Sequence, residues 1–519
     1  MDSSNSQLES LFPLPSQPPS PLSPTRLPGV THGSGLALLK TLKENHRRWH
    51  IFFNNLGFHN HMSHHLLAIY QLGASGPLLE AAYQSHVSSM RPAFESPGSI
   101  TEKNFHEHLG DEKYYNAYLK FFSSILVERG AEKTIEEYIF SAKMNVSIPA
   151  VGHPSLEMLS RFLSGLFHPM IHTGYGAEFG LLGMVAEGLA QTALQKPFAS
   201  VLIPSSLSQY AVASSTGTVS TSISRLVSLL PSLTLNNTTS GSMAEKEHGM
   251  HALTVVAQIL HNDDFTPAAI GIPSDDKDDN NIFQRVLEAR GERLMALASA
   301  WTVNGTNPEE VASKIEELIW VNVVLYAVGG WAGRKSSPTG QFKGDFFLLH
   351  LVTSVLFLPS LTAYLSPTST SILLRTYFNN SLAWWIARGR PALPIRDFYA
   401  SVSERPQEHG APYARPGEGT LTPADPSPNP WLPILQTTLE HPDDHLCKLQ
   451  RALAHFASLY GIRPEGHFGH LAKVSGASLD GAELLDGTLF VRAASLSADR
   501  LGWMREGEKN KGWDFDGFF

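Results

Sequence analysis

In the stretch Leu156-Glu157-Met158-Leu159-Ser160-Arg161-Phe162-Leu163-Ser164-Gly165-Leu166, residues Leu156, Leu159, Leu163 and Leu166 fall three to four apart, the period of one face of an α-helix. The same period recurs along most of the chain. It predicts helices over 36–53, 114–129, 134–144, 184–194, 282–302, 308–326, 372–388 and 445–460. Strand signals are few, and Leu489-Phe490-Val491-Arg492 is the best of them. The expected fold class is therefore all-α. Three polar stretches read as long irregular loops: 205–242, rich in Ser and Thr; 275–281, mostly acidic and amide; and 404–433, rich in Pro and Gly. None separates two regions that each look like a complete core, and no internal repeat is seen. The expected organisation is a disordered Pro/Ser-rich tail over 1–30 followed by a single large helical domain over 31–519.

Composition narrows the function. The chain has 519 residues, of which 42% are hydrophobic and 17% charged, as suits a globular protein with a large core. A net charge of -9 excludes a typical nucleic-acid binder, which needs clustered Lys and Arg to neutralise phosphates. Cys447 is the single cysteine, so a disulfide framework and a Cys-based zinc site are both excluded within one chain. A lone thiol suits a reducing compartment. The N-terminus lacks the basic flank and apolar run of a signal peptide, so a cytoplasmic location is expected. Residues 346–365 carry no charge over nearly the roughly 20 residues that a membrane span needs. His350, Thr353, Ser354 and Pro359 interrupt them, so they read as a buried helix that bends or ends at Pro359, without membrane insertion.

The common nucleotide motifs fail. Gly174-Tyr175-Gly176-Ala177-Glu178-Phe179-Gly180 resembles a dinucleotide loop, but its third glycine is one residue late and a helix precedes it where the fingerprint needs a strand. Gly329-Gly330-Trp331-Ala332-Gly333-Arg334-Lys335-Ser336 has the wrong spacing for a phosphate loop. Redox chemistry, if present, would then rest on a metal.

Histidine supplies the candidates. The chain holds 23, unevenly spread. The segment Asn60-His61-Met62-Ser63-His64-His65 puts His61 and His65 four apart, on one helix face, with His61 favoured as a ligand. Phe167-His168-Pro169-Met170-Ile171-His172 repeats that spacing, and Pro169 suits a first helical turn. The third segment, Asp345-Phe346-Phe347-Leu348-Leu349-His350, opens with a candidate N-cap and sets His350 in an apolar run. Sites rich in imidazole and poor in carboxylate suit zinc, copper or iron, and iron fits dioxygen chemistry.

These three runs, together with Leu109-Gly110-Asp111, Arg388-Gly389-Arg390-Pro391 and the ending Trp513-Asp514-Phe515-Asp516-Gly517-Phe518-Phe519, resemble the questin oxidase family of filamentous fungi. The resemblance covers nearly the whole chain beyond the tail. It implies oxidative ring cleavage of an anthraquinone or related aromatic polyketide, formally like a Baeyer–Villiger insertion, with dioxygen as co-substrate. It also implies a non-haem iron(II) centre of four histidines and a carboxylated lysine. Carried over by motif, these are His61, His168, His172, His350 and Lys343, with His65 in reserve for His61 and His445 unassigned. Lys343 is placed by its nearness to Asp345. Its amine would have to lose a proton before taking up carbon dioxide, and the carbamate would then balance the metal's charge. Tyr175, Trp320, Trp331, Trp384 and Trp385 are the candidate surfaces for a flat substrate. Two alternatives stand beside this reading: a Baeyer–Villiger monooxygenase using NADPH as reductant, and a non-catalytic helical scaffold.

Overall fold

The computed structural model describes residues 3–146, 155–204, 249–273, 278–335, 340–406, 417–421 and 427–519. The helices that frame the site are α1 Ser3–Leu11, α2 His32–Arg48, α3 Met62–Gln71, α4 Gly76–Val87, α5 Tyr115–Arg129, α6 His168–Phe179, α7 Leu182–Leu194, α8 Asp279–Ala298, α9 Pro308–Val323, α10 Phe346–Val355, α11 Pro367–Ala387, α12 Asp444–Tyr460 and α13 Leu489–Leu501. Among the described residues, β-pairing is limited to three isolated bridges, Trp49 with Pro92, Phe52 with His59 and Asp345 with Asp514. The fold is all-α, as the apolar periodicity predicts. One continuous cluster of buried apolar side chains runs from Leu8 to Trp513.

Local chemistry explains many of the helix starts. Asp345 caps α10, accepting from the backbone N–H of Phe347 at 3.0 Å and of Leu348 at 2.9 Å. Asn307 caps α9 and Asp443 caps α12 in the same way. Asp278 caps α8, so the loop expected over 275–281 ends three residues early. Residues 275–277 of that loop, the loop expected over 205–242, and 407–416 and 422–426 of the third loop lie outside the described residues. A helix, Trp431–Glu440, begins inside the end of that third loop.

Three expectations change. Leu489-Phe490-Val491-Arg492 is the first turn of α13, not a strand. Leu489, Phe490, Ala493, Ala494, Ala498 and Leu501 are buried at helical spacing, and no partner strand exists among the described residues. The stretch expected as a disordered tail carries α1, whose Leu8 and Leu11 are buried with Phe12. It continues as a strap along the body, with Ser16 N bonded to Phe179 O at 3.0 Å and Leu27 N to Gln71 O at 2.8 Å. Its apolar residues at helical spacing outweigh its Pro/Ser composition. The apolar run 346–365 splits into α10 and a short helix, Leu358–Thr362, with Pro359 in the first turn of the second. No helix among the described residues is long and apolar enough to cross a membrane.

Close backbone approach packs α6 on α7. A Cβ on Gly176 would come within 2.6 Å of Val185 N, and one on Gly188 within 2.7 Å of Thr173 N, so only glycine fits at these crossings. Gly174 and Gly176 therefore serve helix packing, and Gly180 ends α6 at a φ of 67°. The α12 helix packs against α3, α10 and α13. The C-terminal segment closes over the start of α10. Asp514 N bonds Gly344 O at 2.9 Å, Phe346 N bonds Asp514 O at 2.9 Å, and Arg388, at the end of α11, reaches Asp345 Oδ2 at 2.8 Å and Phe515 O at 2.6 Å. Three separate family-like motifs thus meet at one joint.

Candidate metal centre

Four imidazoles from four places in the chain form a closed ring. Centroids lie 4.8 Å apart for His61 and His168, 5.0 Å for His168 and His350, 5.1 Å for His350 and His445, and 4.7 Å for His445 and His61. His61 precedes α3, His168 opens α6, His350 lies inside α10 and His445 in the first turn of α12. The sets His168, His350, His445 and His61, Asp444, His445 each bring ligand atoms within 4.8 Å of one another, as does His59, His61, His168.

Each of the four rings has its Nδ1 against an oxygen. His350 Nδ1 donates to the Phe346 carbonyl at 2.7 Å, and His168 Nδ1 donates to the Gly165 carbonyl. His61 Nδ1 lies 2.9 Å from Asp444 Oδ2 and His445 Nδ1 lies 3.3 Å from Asp444 Oδ1. All four Nε2 atoms are buried and have no hydrogen-bond partner among the described residues. Four such orphans in one place would be costly in a core without a ligand. A metal ion would satisfy them, because an Nδ1–H held by a carbonyl or carboxylate turns the Nε2 lone pair toward a shared centre. Burial holds His61, His168 and His350 well below the ordinary histidine range, so these rings are neutral and able to ligate.

The backbone before α6 is bent to serve His168. Gly165, Leu166 and Phe167 adopt φ of 56°, 55° and 64° in succession. For the two non-glycine residues this costs about 1–2 kcal/mol each. The turn brings the Gly165 carbonyl back onto His168 Nδ1, and such local strain clusters at functional sites.

Asp444 is the shared outer partner. Burial alone would push its pKa up, but the electrostatic attraction of His445, Lys448 and His61, with a hydrogen bond from His445, together outweighs burial and holds the carboxyl well below its usual range. Lys448, one turn further along α12, places Nζ 2.9 Å from Asp444 Oδ2 with 4% of its side chain exposed. It is the buried lysine of this cluster.

The structure brings together only part of the expected set. His61, His168 and His350 converge. His172 does not join them. Its Nε2 lies 2.7 Å from Glu187 Oε2 and its Nδ1 lies 3.0 Å from His64 Nε2, so both nitrogens are already occupied. His65 pairs its Nδ1 with His86 Nε2 at 3.0 Å, outside the ring of four. Lys343 is committed elsewhere, with Nζ bonded to the Gly517 carbonyl and 5.1 Å over the Phe518 ring. His445, Asp444 and Lys448 are the residues that sequence reasoning missed. Of the expected aromatic surfaces, Tyr175 stacks on His64 at 5.1 Å. Trp384 stacks on Phe283 and Phe347, Trp320 packs on Phe468 and Phe490, Trp331 lies beneath Arg334, and Trp385 is fully buried. The ring that does touch the ligands is Phe346, 4.9 Å from His350 and 4.7 Å from His445, with Phe515 stacked on its other side at 4.7 Å.

Four imidazoles drawn together from separate helices, with no parallel sheet among the described residues to carry a nucleotide loop, describe a helical protein with a buried histidine cluster. The comparisons assign its class. A family model described as Questin oxidase-like matches residues 58–453, and the chain belongs to that family. It is 27% identical over 426 residues to a Baeyer–Villiger oxidase of Pestalotiopsis microspora, covering 80% of this chain and 79% of the relative. It is 25% identical over 447 residues to an oxidoreductase of Aspergillus parasiticus, covering 83% and 76%. It is 24% identical over 422 residues to a questin oxidase of Aspergillus terreus, covering 79% and 78%. The chain is accordingly an oxidoreductase. The matched span contains all four convergent histidines, Asp444 and Lys448.

Proposed function

We propose that this oxidoreductase cleaves a ring of a hydroxyanthraquinone or a related aromatic polyketide in fungal secondary metabolism, using dioxygen at a non-haem iron(II) centre. The observation that carries the metal part is the set of four buried, unpartnered Nε2 atoms on His61, His168, His350 and His445. Names of the relatives, a questin oxidase and a Baeyer–Villiger oxidase, support the substrate class and the oxygen insertion. Iron(II) held by these rings would supply the one-electron steps with dioxygen that an aromatic substrate cannot undergo directly.

The residues of the chain do the rest. The four imidazoles would hold the ion through Nε2. Asp444 fixes the orientation of His61 and His445. Lys448 replaces Lys343 as the lysine to carry the carbamate. As a neutral amine it takes up carbon dioxide and releases one proton, leaving an anionic oxygen donor that four neutral rings lack. Its burial beside Asp444 and the imidazoles supports this assignment. Phe346 and Phe515 offer flat faces next to His350 and His445, suited to stacking on a planar polycycle.

A second reading is favoured by the Baeyer–Villiger monooxygenase name carried by a relative from Aspergillus aculeatus. There, NADPH reduces one oxygen atom to water while the other is inserted. One experiment separates the two. Protein loaded anaerobically with iron(II) is mixed with a hydroxyanthraquinone in aerated buffer, with and without NADPH. The iron reading predicts oxygen consumption and a ring-opened product that carries both oxygen atoms, without NADPH. A strict NADPH requirement in metal-free protein overturns it.

A further inference from the structure

A second chain of titratable groups lies beside the four ligands and is not part of them. Glu187 on α7 has 2% of its side chain exposed, with Oε1 2.6 Å from His46 Nδ1 and Oε2 2.7 Å from His172 Nε2. His172 Nδ1 lies 3.0 Å from His64 Nε2. His64 Nδ1 is buried and has no hydrogen-bond partner among the described residues.

With both rings neutral, the position of every hydrogen follows from the first group. A carboxylate can only accept, so His46 Nδ1 and His172 Nε2 both carry hydrogens. A neutral His172 with its hydrogen on Nε2 has a bare Nδ1. That bare nitrogen can only accept, so His64 donates from Nε2. A neutral His64 with its hydrogen on Nε2 has a bare Nδ1. One buried carboxylate thus sets the state of a nitrogen two imidazoles away. The four ligand histidines are held the other way round, by Nδ1, and present Nε2. His64 is the ring beside them that presents Nδ1. It lies nearly parallel to His61 at 5.4 Å and to Tyr175 at 5.1 Å, so it borders the site on one side and an aromatic face on the other.

A bare imidazole nitrogen left buried is costly unless something donates to it. We propose that Glu187 is a positioning residue that, through His172, locks His64 with an unprotonated Nδ1, and that this nitrogen accepts the hydrogen bond of a substrate hydroxyl beside the metal ligands. The substrate half rests on the function proposed above. The lock rests on the hydrogen-bond geometry with both rings neutral. A phenolic O–H fits this acceptor. The corresponding methyl ether brings no hydrogen and leaves the nitrogen unpaired, which weakens binding by about tenfold.

Two measurements test the halves separately. In protein labelled with 15N-histidine and loaded with zinc, which is diamagnetic, the Nδ1 resonance assigned by its loss in His64→Phe is expected at the unprotonated position. In Glu187→Gln the side-chain amide can donate to His172, so the same resonance is expected to move toward the protonated position. A protonated Nδ1 in the wild type, or no movement in Glu187→Gln, overturns the lock. Binding of a hydroxyanthraquinone and of its methyl ether, followed by quenching of tryptophan fluorescence, tests the acceptor. The wild type is expected to prefer the free hydroxyl by about tenfold. Glu187→Gln and His64→Phe are expected to lose that preference, with the double variant no worse than His64→Phe and zinc content unchanged in all three. A preference that survives in His64→Phe, or zinc lost from Glu187→Gln, overturns the acceptor role. If the iron-loaded wild type oxidises no anthraquinone while the NMR result holds, the functional reading fails and the lock stands.

Discussion

Replacing Asp444 by Asn is the sharpest test of how the site is held. Asp444 Oδ2 lies 2.9 Å from His61 Nδ1 and 2.9 Å from Lys448 Nζ, while Oδ1 lies 3.3 Å from His445 Nδ1. The carboxylate faces two imidazole N–H groups and one lysine. An amide of the same shape keeps a single acceptor, so at least one ring must meet an N–H with an N–H. That ring turns, and its Nε2 leaves the common centre. Losing one outer partner of a metal-bound histidine typically costs about 10–100-fold in metal affinity. With two of the four rings dependent on one side chain, the upper end applies, about 100-fold or ~2.7 kcal/mol. The assay is competition with a chelator of known affinity for iron(II), under anaerobic conditions, with circular dichroism to show that helix content is retained. An Asp444→Asn protein that stays folded and binds iron within about twofold of the wild type would refute the role of Asp444 as the shared partner.

Further outcomes follow from other contacts. Lys343→Met should leave iron content at the wild-type level and cost about 1 kcal/mol of stability in a denaturant titration, because Lys343 holds the Gly517 carbonyl instead of a metal. Lys448→Arg should lose iron-dependent turnover that bicarbonate cannot restore, whereas wild-type activity lost on stripping carbon dioxide should return with bicarbonate. Glu187 is held down to about 2, because hydrogen bonds from His172 and His46 together outweigh burial, which alone would raise it. A carboxyl lowered in the folded state contributes stability above its unfolded value and loses it as pH falls. Thermal stability of the wild type should therefore decline from about pH 4.5 toward 2, and Glu187→Gln should flatten that acid limb. Gly188→Ala would press a Cβ to 2.7 Å from Thr173 N, so it should destabilise the α6–α7 packing by about 1–3 kcal/mol in thermal unfolding.

The helical class was legible because apolar residues at a period of three to four mark most elements, and the cap at Asp345 and the first-turn Pro169 read true. The strand-like run at 489–492 misled because four residues are too few to separate the two periods. The tail over 1–30 misled because composition hides Leu8, Leu11 and Phe12 at helical spacing. At the site, His61, His168 and His350 stood out because each sits in an apolar segment where a lone imidazole needs a partner. His445 and Lys448 did not stand out. They share the first turns of an amphipathic helix with Asp443 and Asp444, a pattern that normally marks a solvated start. Their burial comes from the packing of α12 on α3 and α10, which no local pattern encodes. His172 looked equivalent to His168 at four residues' distance, and only the neighbouring α7 helix, by supplying Glu187, makes the two differ. Lys343 was placed by nearness along the chain, but its partner is the Gly517 carbonyl, far away in sequence.

The central claim is that one metal ion is held by Nε2 of His61, His168, His350 and His445. Crystals grown after anaerobic loading with iron(II), with diffraction recorded on both sides of the iron absorption edge, test it directly. The predicted result is a single anomalous peak enclosed by those four nitrogens, with added density on Lys448 Nζ. A peak beside His172, His65 or Lys343, or no peak in protein that contains iron, would contradict the account.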